Sequence, residues 1–139
     1  MAASSLDRFV DAQEGIYDTV VAEIRNGRKS SHWMWFIFPQ LAGLGRTSTA
    51  VYYAIRDIEE ARAYLDHPIL GPRLIECAEA VLAVKGKSAH EIFGSPDDLK
   101  LRSSATLFAQ VSPPGSVFHR ILDRYYRSEP DPRSLDLLR

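Results

Sequence analysis

The sequence predicts a mainly α-helical protein, one compact domain of five or six helices with little or no sheet. Three observations predict it. Apolar residues recur at spacings of three and four in segment after segment, as on a helix with one buried face. Capping residues and prolines stand where these stripes begin, and glycines where several end. No two apolar runs are joined by Asn-Gly or Asp-Gly, the strongest short hairpin signal.

The elements follow in order. From Ser5 to Arg25, the residues Leu6, Phe9, Val10, Ile16, Tyr17, Val20, Val21 and Ile24 form one stripe, with a serine cap before it and Gly27 after it. WMWFIF (33–38) reads either as a short buried strand or as a helical turn, and Pro39 ends it. Asp57 and Glu60 have the spacing of a capping box and open a helix that ends at His67. Pro68 suits a first turn, and Leu70, Leu74, Cys77, Ala78, Val81 and Leu82 form the next stripe, whose regular part is expected only after Gly71 and Pro72. Ser88 and Glu91 repeat the capping box. Ser95-Pro96-Asp97-Asp98 combines a cap, a first-turn proline and two acids at the positive end of a helix dipole. On that helix Leu99, Ser103, Thr106 and Gln110 share one side, and Leu101, Ala105 and Phe108 the other. A last helix after Gly115 carries Val117, Phe118, Ile121, Leu122 and Tyr125.

Length and composition set the bounds. The 139 residues suit a single domain, with a core over about 5–127 and a loose, proline-punctuated tail over 128–139. Seventeen basic against 18 acidic residues leave a formal charge of -1, which disfavours binding to duplex nucleic acid. No apolar run approaches the roughly 20 residues of a membrane helix, and MAASSLDRFVD has neither the basic start nor the apolar core of a secretory signal, so a cytoplasmic location is expected. Cys77, alone among apolar neighbours, reads as a buried and unreactive thiol. No His, Cys, Asp or Glu set has metal-ligand spacing, and no cofactor motif is convincing; QLAGLGRTSTA resembles a phosphate loop only loosely.

Three segments concentrate chemistry. In SHWMWFIFPQ, both tryptophans stand beside His32 and Gln40, with Arg46 and a run of hydroxyls leading to Tyr53 just beyond. Rigid aromatics beside polar groups suit a pocket for a flat ring, with Trp33 and Trp35 as its wall. The alternative is that the run fills the core and each indole N–H finds an internal acceptor. In IFGSPDDLKLRSSATLF, Asp97, Lys100 and Ser104 fall three and four apart on one helix face, next to Asp98 and Ser103. A carboxylate there suits a general base or a stabiliser of positive charge at a sugar carbon; equally, Asp97 and Asp98 suit a helix start. In DHPILGPR, His67 stands at a helix start with Arg73 one turn on, an arrangement fit for phosphate or for a plain cap. His90 and His119 suggest no site.

Together the motifs His-Trp-Met-Trp with Phe-Pro-Gln, Leu-Asp-His-Pro with Leu-Gly-Pro-Arg-Leu, and Asp-x-x-Lys-Leu-x-Ser-Ser resemble the bacterial family of unknown function numbered eighteen-ten, over roughly residues 5 to 138. Its members often carry a calpastatin-like label. That inhibitor is disordered, whereas this sequence is patterned to fold. The family in turn resembles, more distantly, the mainly helical NADAR or YbiA-like proteins, whose characterised members are N-glycosidases acting on riboflavin-pathway intermediates or ADP-ribosylated guanine.

The resemblance implies a nucleotide-like ligand against Trp33 or Trp35, its phosphate on Arg46 or Arg73, and Asp97 or Asp98 assisting hydrolysis of a C–N glycosidic bond without a cofactor. A binding module using the same pocket without turnover is the second reading. A helical interaction protein with every aromatic in the core is the third. Carboxylates pointing to solvent, away from the tryptophans, would deprive the glycosidase reading of its base.

Overall fold

In the computed structural model, which describes residues 6–139, the N-terminal stripe forms two helices, α1 (Asp7–Gln13) and α2 (Tyr17–Arg25). The chain turns at Gly15, whose φ of 75° breaks the predicted single helix. The cap expected at Ser5 lies outside the described residues. The mainly helical class holds, but the described residues contain ten helices rather than five or six. Three of the additions, α3 (Met34–Ile37), α4 (Ser48–Tyr52) and α10 (Pro132–Leu137), are too short to print a 3.6-residue periodicity. Among the described residues, β pairing is limited to one isolated parallel bridge between Leu41 and Ile55.

Side-chain caps start several of the helices. Asp57 accepts from the Glu60 amide at 2.9 Å to start α5 (Ile58–Asp66), while the Glu60 carboxylate accepts from the Arg56 amide rather than from that of Asp57. His67 Nδ1 accepts from the Ile69 and Leu70 amides at 3.1 and 3.2 Å, so it caps the start of α6 (Leu70–Ala83). That helix takes Gly71 and Pro72 into its first turn, earlier than expected. A Cβ at Gly71 would sit 2.1 Å from the Leu65 carbonyl oxygen, so only glycine permits this approach. The Ser88–Glu91 box starts α7 (Ala89–Phe93) in both directions, and Ser116 caps α9 (Val117–Tyr125).

Helix α8 (Asp97–Ala109) is the axis of the molecule. It packs against α5, α7, α9 and α10, and every residue from Ser103 to Ala109 is buried, so neither of its two predicted sides faces water along this stretch. Its start differs from the expected one: Pro96 occupies the cap position, no side chain caps it, and Asp97 and Asp98 form the acidic first turn. The hydroxyls buried along it are mostly satisfied locally. Ser103 and Thr106 donate to the carbonyls four residues back, at 3.1 and 2.8 Å.

The tail is docked rather than loose. Asp131 caps α10 by accepting from the Ser134 amide and hydroxyl, it accepts again from Ser103 Oγ, and its own amide donates to Thr106 Oγ1 at 2.8 Å. Arg102 donates to the carbonyls of Glu129 and Pro130. A proline directly after a capping Asp is thus a helix start, not a breaker. Cys77 is buried as expected, and burial pushes its thiol up to about 12. Among the described residues, no helix is long and apolar enough to cross a membrane.

Candidate functional site

The two tryptophans, two residues apart, have opposite fates. Trp33 is fully buried, packs edge-on against Phe93 with centroids 6.3 Å apart and lies against Phe38, and its indole N–H donates to Glu23 at 2.9 Å. Glu23 also accepts from the amides of Ser30 and Ser31 and from Ser31 Oγ. Burial acts to raise the Glu23 carboxyl, but these donors outweigh it and hold the group at about 2. Trp33 therefore belongs to the core, and its expected place in a pocket wall is corrected: the short helix α3 turns it inward onto an acceptor ten residues upstream. Trp35 is only partly buried and lines a cleft.

The cleft encloses about 620 Å³ between three walls. The first is the segment from Leu41 to Ile55, closed at its base where Ala42 donates to Ile55 and Ile55 donates to Gln40, at 2.7 and 2.8 Å. It presents Gly45, Arg46, Thr47 and Ala50 beside Gln40. Gly45 is required there, because a Cβ would come 2.5 Å from Ala50 Cβ and push the Arg46 backbone off α4. Arg8 fixes the far end of α4 by donating to the carbonyls of Tyr52 and Ala54, both at 2.8 Å. The second wall is the start of α8, with Leu99, Lys100, Arg102 and Ser103, and the third is Asp131 to Arg133 of the docked C-terminal segment. Leu137 on α10 reaches back to Gly43, joining the third wall to the first.

Charge is uneven in this space. Arg46, Lys100, Arg102 and Arg133 line it against one carboxylate, Asp131, which is already held by Ser103 and Ser134. Lys100 pairs with Asp97 at 3.3 Å and lies 4.8 Å from the Trp35 ring centroid; Arg102 is held by the backbone of residues 129 and 130. Arg46 and Arg133 are exposed, and neither has a hydrogen-bond or ion-pair partner among the described residues. The cleft thus offers two uncommitted guanidiniums beside an aromatic face, a fit for a ligand with a phosphate or carboxylate.

Neither predicted carboxylate lines the cleft, although their neighbours Pro96, Leu99 and Lys100 do. Asp97 bridges two lysines, accepting from Lys29 Nζ at 2.8 Å and Lys100 Nζ at 3.3 Å. The Lys29 side chain is 8 % exposed and that of Asp97 18 %, so the pair is largely shielded and ties the loop before Trp33 to the first turn of α8. Asp98 turns away toward His90, at 3.4 Å, and accepts from the Leu99 amide.

The remaining expected residues divide. Gln40, Arg46, Lys100 and Ser103 meet Trp35 at the cleft. His32 and Tyr53 line a neighbouring hollow that also includes Trp35. His67 is a cap, and Arg73 is held away from the cleft by Gln13 Oε1 at 3.2 Å and by the Tyr17 ring at 4.7 Å. Ser104 is buried, with its hydroxyl unpartnered among the described residues, and is absent from the cleft lining. Leu99, Arg102, Asp131 and Arg133 were not expected. The Asp-Pro pair at 131 and 132 carried the signal for a helix start that would bring the tail into the fold.

Comparison with known proteins matches this architecture closely. No curated protein matches the chain. A solved structure, the conserved hypothetical protein Rv1873 from Mycobacterium tuberculosis, is 54% identical, with a TM-score of 0.94 over 96% of this chain and 95% of that one. The family model described as "Protein of unknown function (DUF1810)" matches residues 3–138, and the chain belongs to that family.

Proposed function

We propose that the cleft binds an anionic, nucleotide-like small molecule. One observation carries this reading: Arg46 and Arg133, contributed by different walls, are without partners among the described residues, in a space that also offers the partly buried Trp35. A surplus of positive charge held in a cavity, in a chain whose formal charge is -1, favours a ligand with concentrated negative charge. Binding without turnover fits better than catalysis, because every carboxylate at or beside the cleft already has partners: Asp97 two lysines, Asp98 His90 and an amide, Asp131 two serines.

Hydrolysis of a C–N glycosidic bond is the second reading, suggested by the distant likeness to NADAR proteins. The observation favouring it is the link from Asp97 through Lys100 to the Trp35 ring, which keeps one carboxylate close to where a ligand would stack. Calorimetric titration with ADP-ribose tests binding. Heat from the wild type, weaker at high salt and weaker still in an Arg46→Ala, Arg133→Ala double variant, is expected; no heat from the wild type would remove the reading. Incubation with ADP-ribosyl-guanosine and riboflavin-pathway ribosylamine phosphates separates the two alternatives. Release of free base by the wild type but not by a folded Asp97→Asn variant would favour the hydrolase.

A further inference from the structure

Beside the basic cleft lies a second hollow of about 550 Å³ with a different character. His32, Trp35, Tyr52 and Tyr53 line it with the hydroxyls of Ser48 and Thr49, and no Lys, Arg, Asp or Glu among the described residues contributes. Trp35 belongs to both spaces. Helix α4 divides them: Thr47 and Ala50, three apart, face the cleft, whereas Ser48, Thr49 and Tyr52 face the hollow. The chain passes from one lining to the other between Thr47 and Ser48, a step of ~3.8 Å between Cα atoms, so the spaces adjoin. Tyr52 is 60% exposed and meets Tyr53 edge-on, with centroids 4.8 Å apart, which leaves most of its ring uncovered by the protein.

Resting on the anion-binding reading of the cleft, we propose that the two spaces form one bipartite site for a phosphorylated nucleoside, with phosphates at Arg46 and Arg133 and the base in the hollow beside Trp35 and Tyr52. The chemistry of each part follows from its lining. Phosphate oxygens take bidentate donors from guanidinium groups, which only the cleft supplies. A base is planar and uncharged and carries donors and acceptors on its edge. It suits aromatic faces flanked by hydroxyls and an imidazole, which the hollow supplies from Trp35, Tyr52, Ser48, Thr49 and His32. Lys100 lies over the Trp35 ring from the cleft side, so the indole marks the junction where base and phosphate diverge.

The test is calorimetric titration of ADP, adenosine and inorganic pyrophosphate into the wild type, a His32→Ala, Tyr52→Ala variant and an Arg46→Ala, Arg133→Ala variant. All four positions are exposed, and unchanged melting temperatures serve as the folding control. ADP is expected to bind the wild type, and each double variant to weaken it at least tenfold. Pyrophosphate affinity should fall only in the arginine variant, and adenosine affinity only in the His32, Tyr52 variant. ADP binding that survives unchanged in the His32, Tyr52 variant but is lost in the arginine variant would overturn the bipartite site and leave the anion-binding cleft standing. Wild-type protein that binds neither ADP nor pyrophosphate would overturn both.

Discussion

The knot around Trp33 and the cleft around Trp35 are built from the same short stretch of chain and follow opposite rules. Around Trp33 the polar groups are satisfied inside the protein: the indole N–H, two amides and a hydroxyl converge on Glu23, and Lys29 is paired with Asp97. Around Trp35 two arginines have no partner among the described residues, and a tyrosine ring lies open. Saturated polar groups hold a fold together, whereas uncommitted ones beside a cavity are what a ligand can use. The difference teaches that an aromatic run is not one feature, because the partner that each ring finds decides its role.

The comparison is sharpest at Asp97. Asp97→Ala leaves the largely shielded Lys29 ammonium with the Ser31 carbonyl but no carboxylate, and a loss of about 3 kcal/mol, the low end for a buried pair, is expected in denaturant unfolding. A loss below about 1 kcal/mol, the ordinary range for an exposed pair, would mean that the pair is not structural and would free Asp97 for chemistry. Trp33→Ala should cost a similar ~3–5 kcal/mol, as for a large side chain removed from a core.

Glu23→Ala is the next largest, about 1–3 kcal/mol at neutral pH, because it strands a buried indole N–H. Its pH dependence has a definite direction. The folded carboxyl sits at about 2, below its ordinary 4.5, so its contribution is complete above about pH 4.5 and is lost as the pH falls toward 2. Melting temperatures of wild type and Glu23→Ala should therefore converge over that interval. Curves that stay parallel would show that the donors do not act on this carboxyl.

The smallest stability effects belong to the cleft. Arg46→Ala and Arg133→Ala should each lie within about 0.5 kcal/mol of wild type, since exposed side chains without partners contribute little. A larger loss from either would put that arginine among the structural residues and weaken the contrast.

What the sequence allowed to be read was local, and what it hid was not. The caps at Asp57, Ser88 and His67 could be read because donor and acceptor lie two or three residues apart. The family-bearing motifs have similarly local reasons, as at Gly71 against Leu65. The fates of Trp33 and Trp35 could not be read, since Glu23 and Lys100 lie on other helices and nothing in the spacing says which indole each will meet. The docked tail was missed for a related reason. Proline near a chain end reads as looseness until Asp131 is seen to reach Ser103, 28 residues away. Arg133, half of the candidate anion grip, was hidden with it.

Single-tryptophan variants give the most direct measurement. In Trp33→Phe the remaining indole is Trp35, and in Trp35→Phe it is Trp33. Titration with ADP should change the emission of the Trp33→Phe protein and leave that of the Trp35→Phe protein flat. A response from the Trp35→Phe protein, or none from a folded Trp33→Phe protein, would contradict the division of the aromatic run into a structural half and a ligand-facing half.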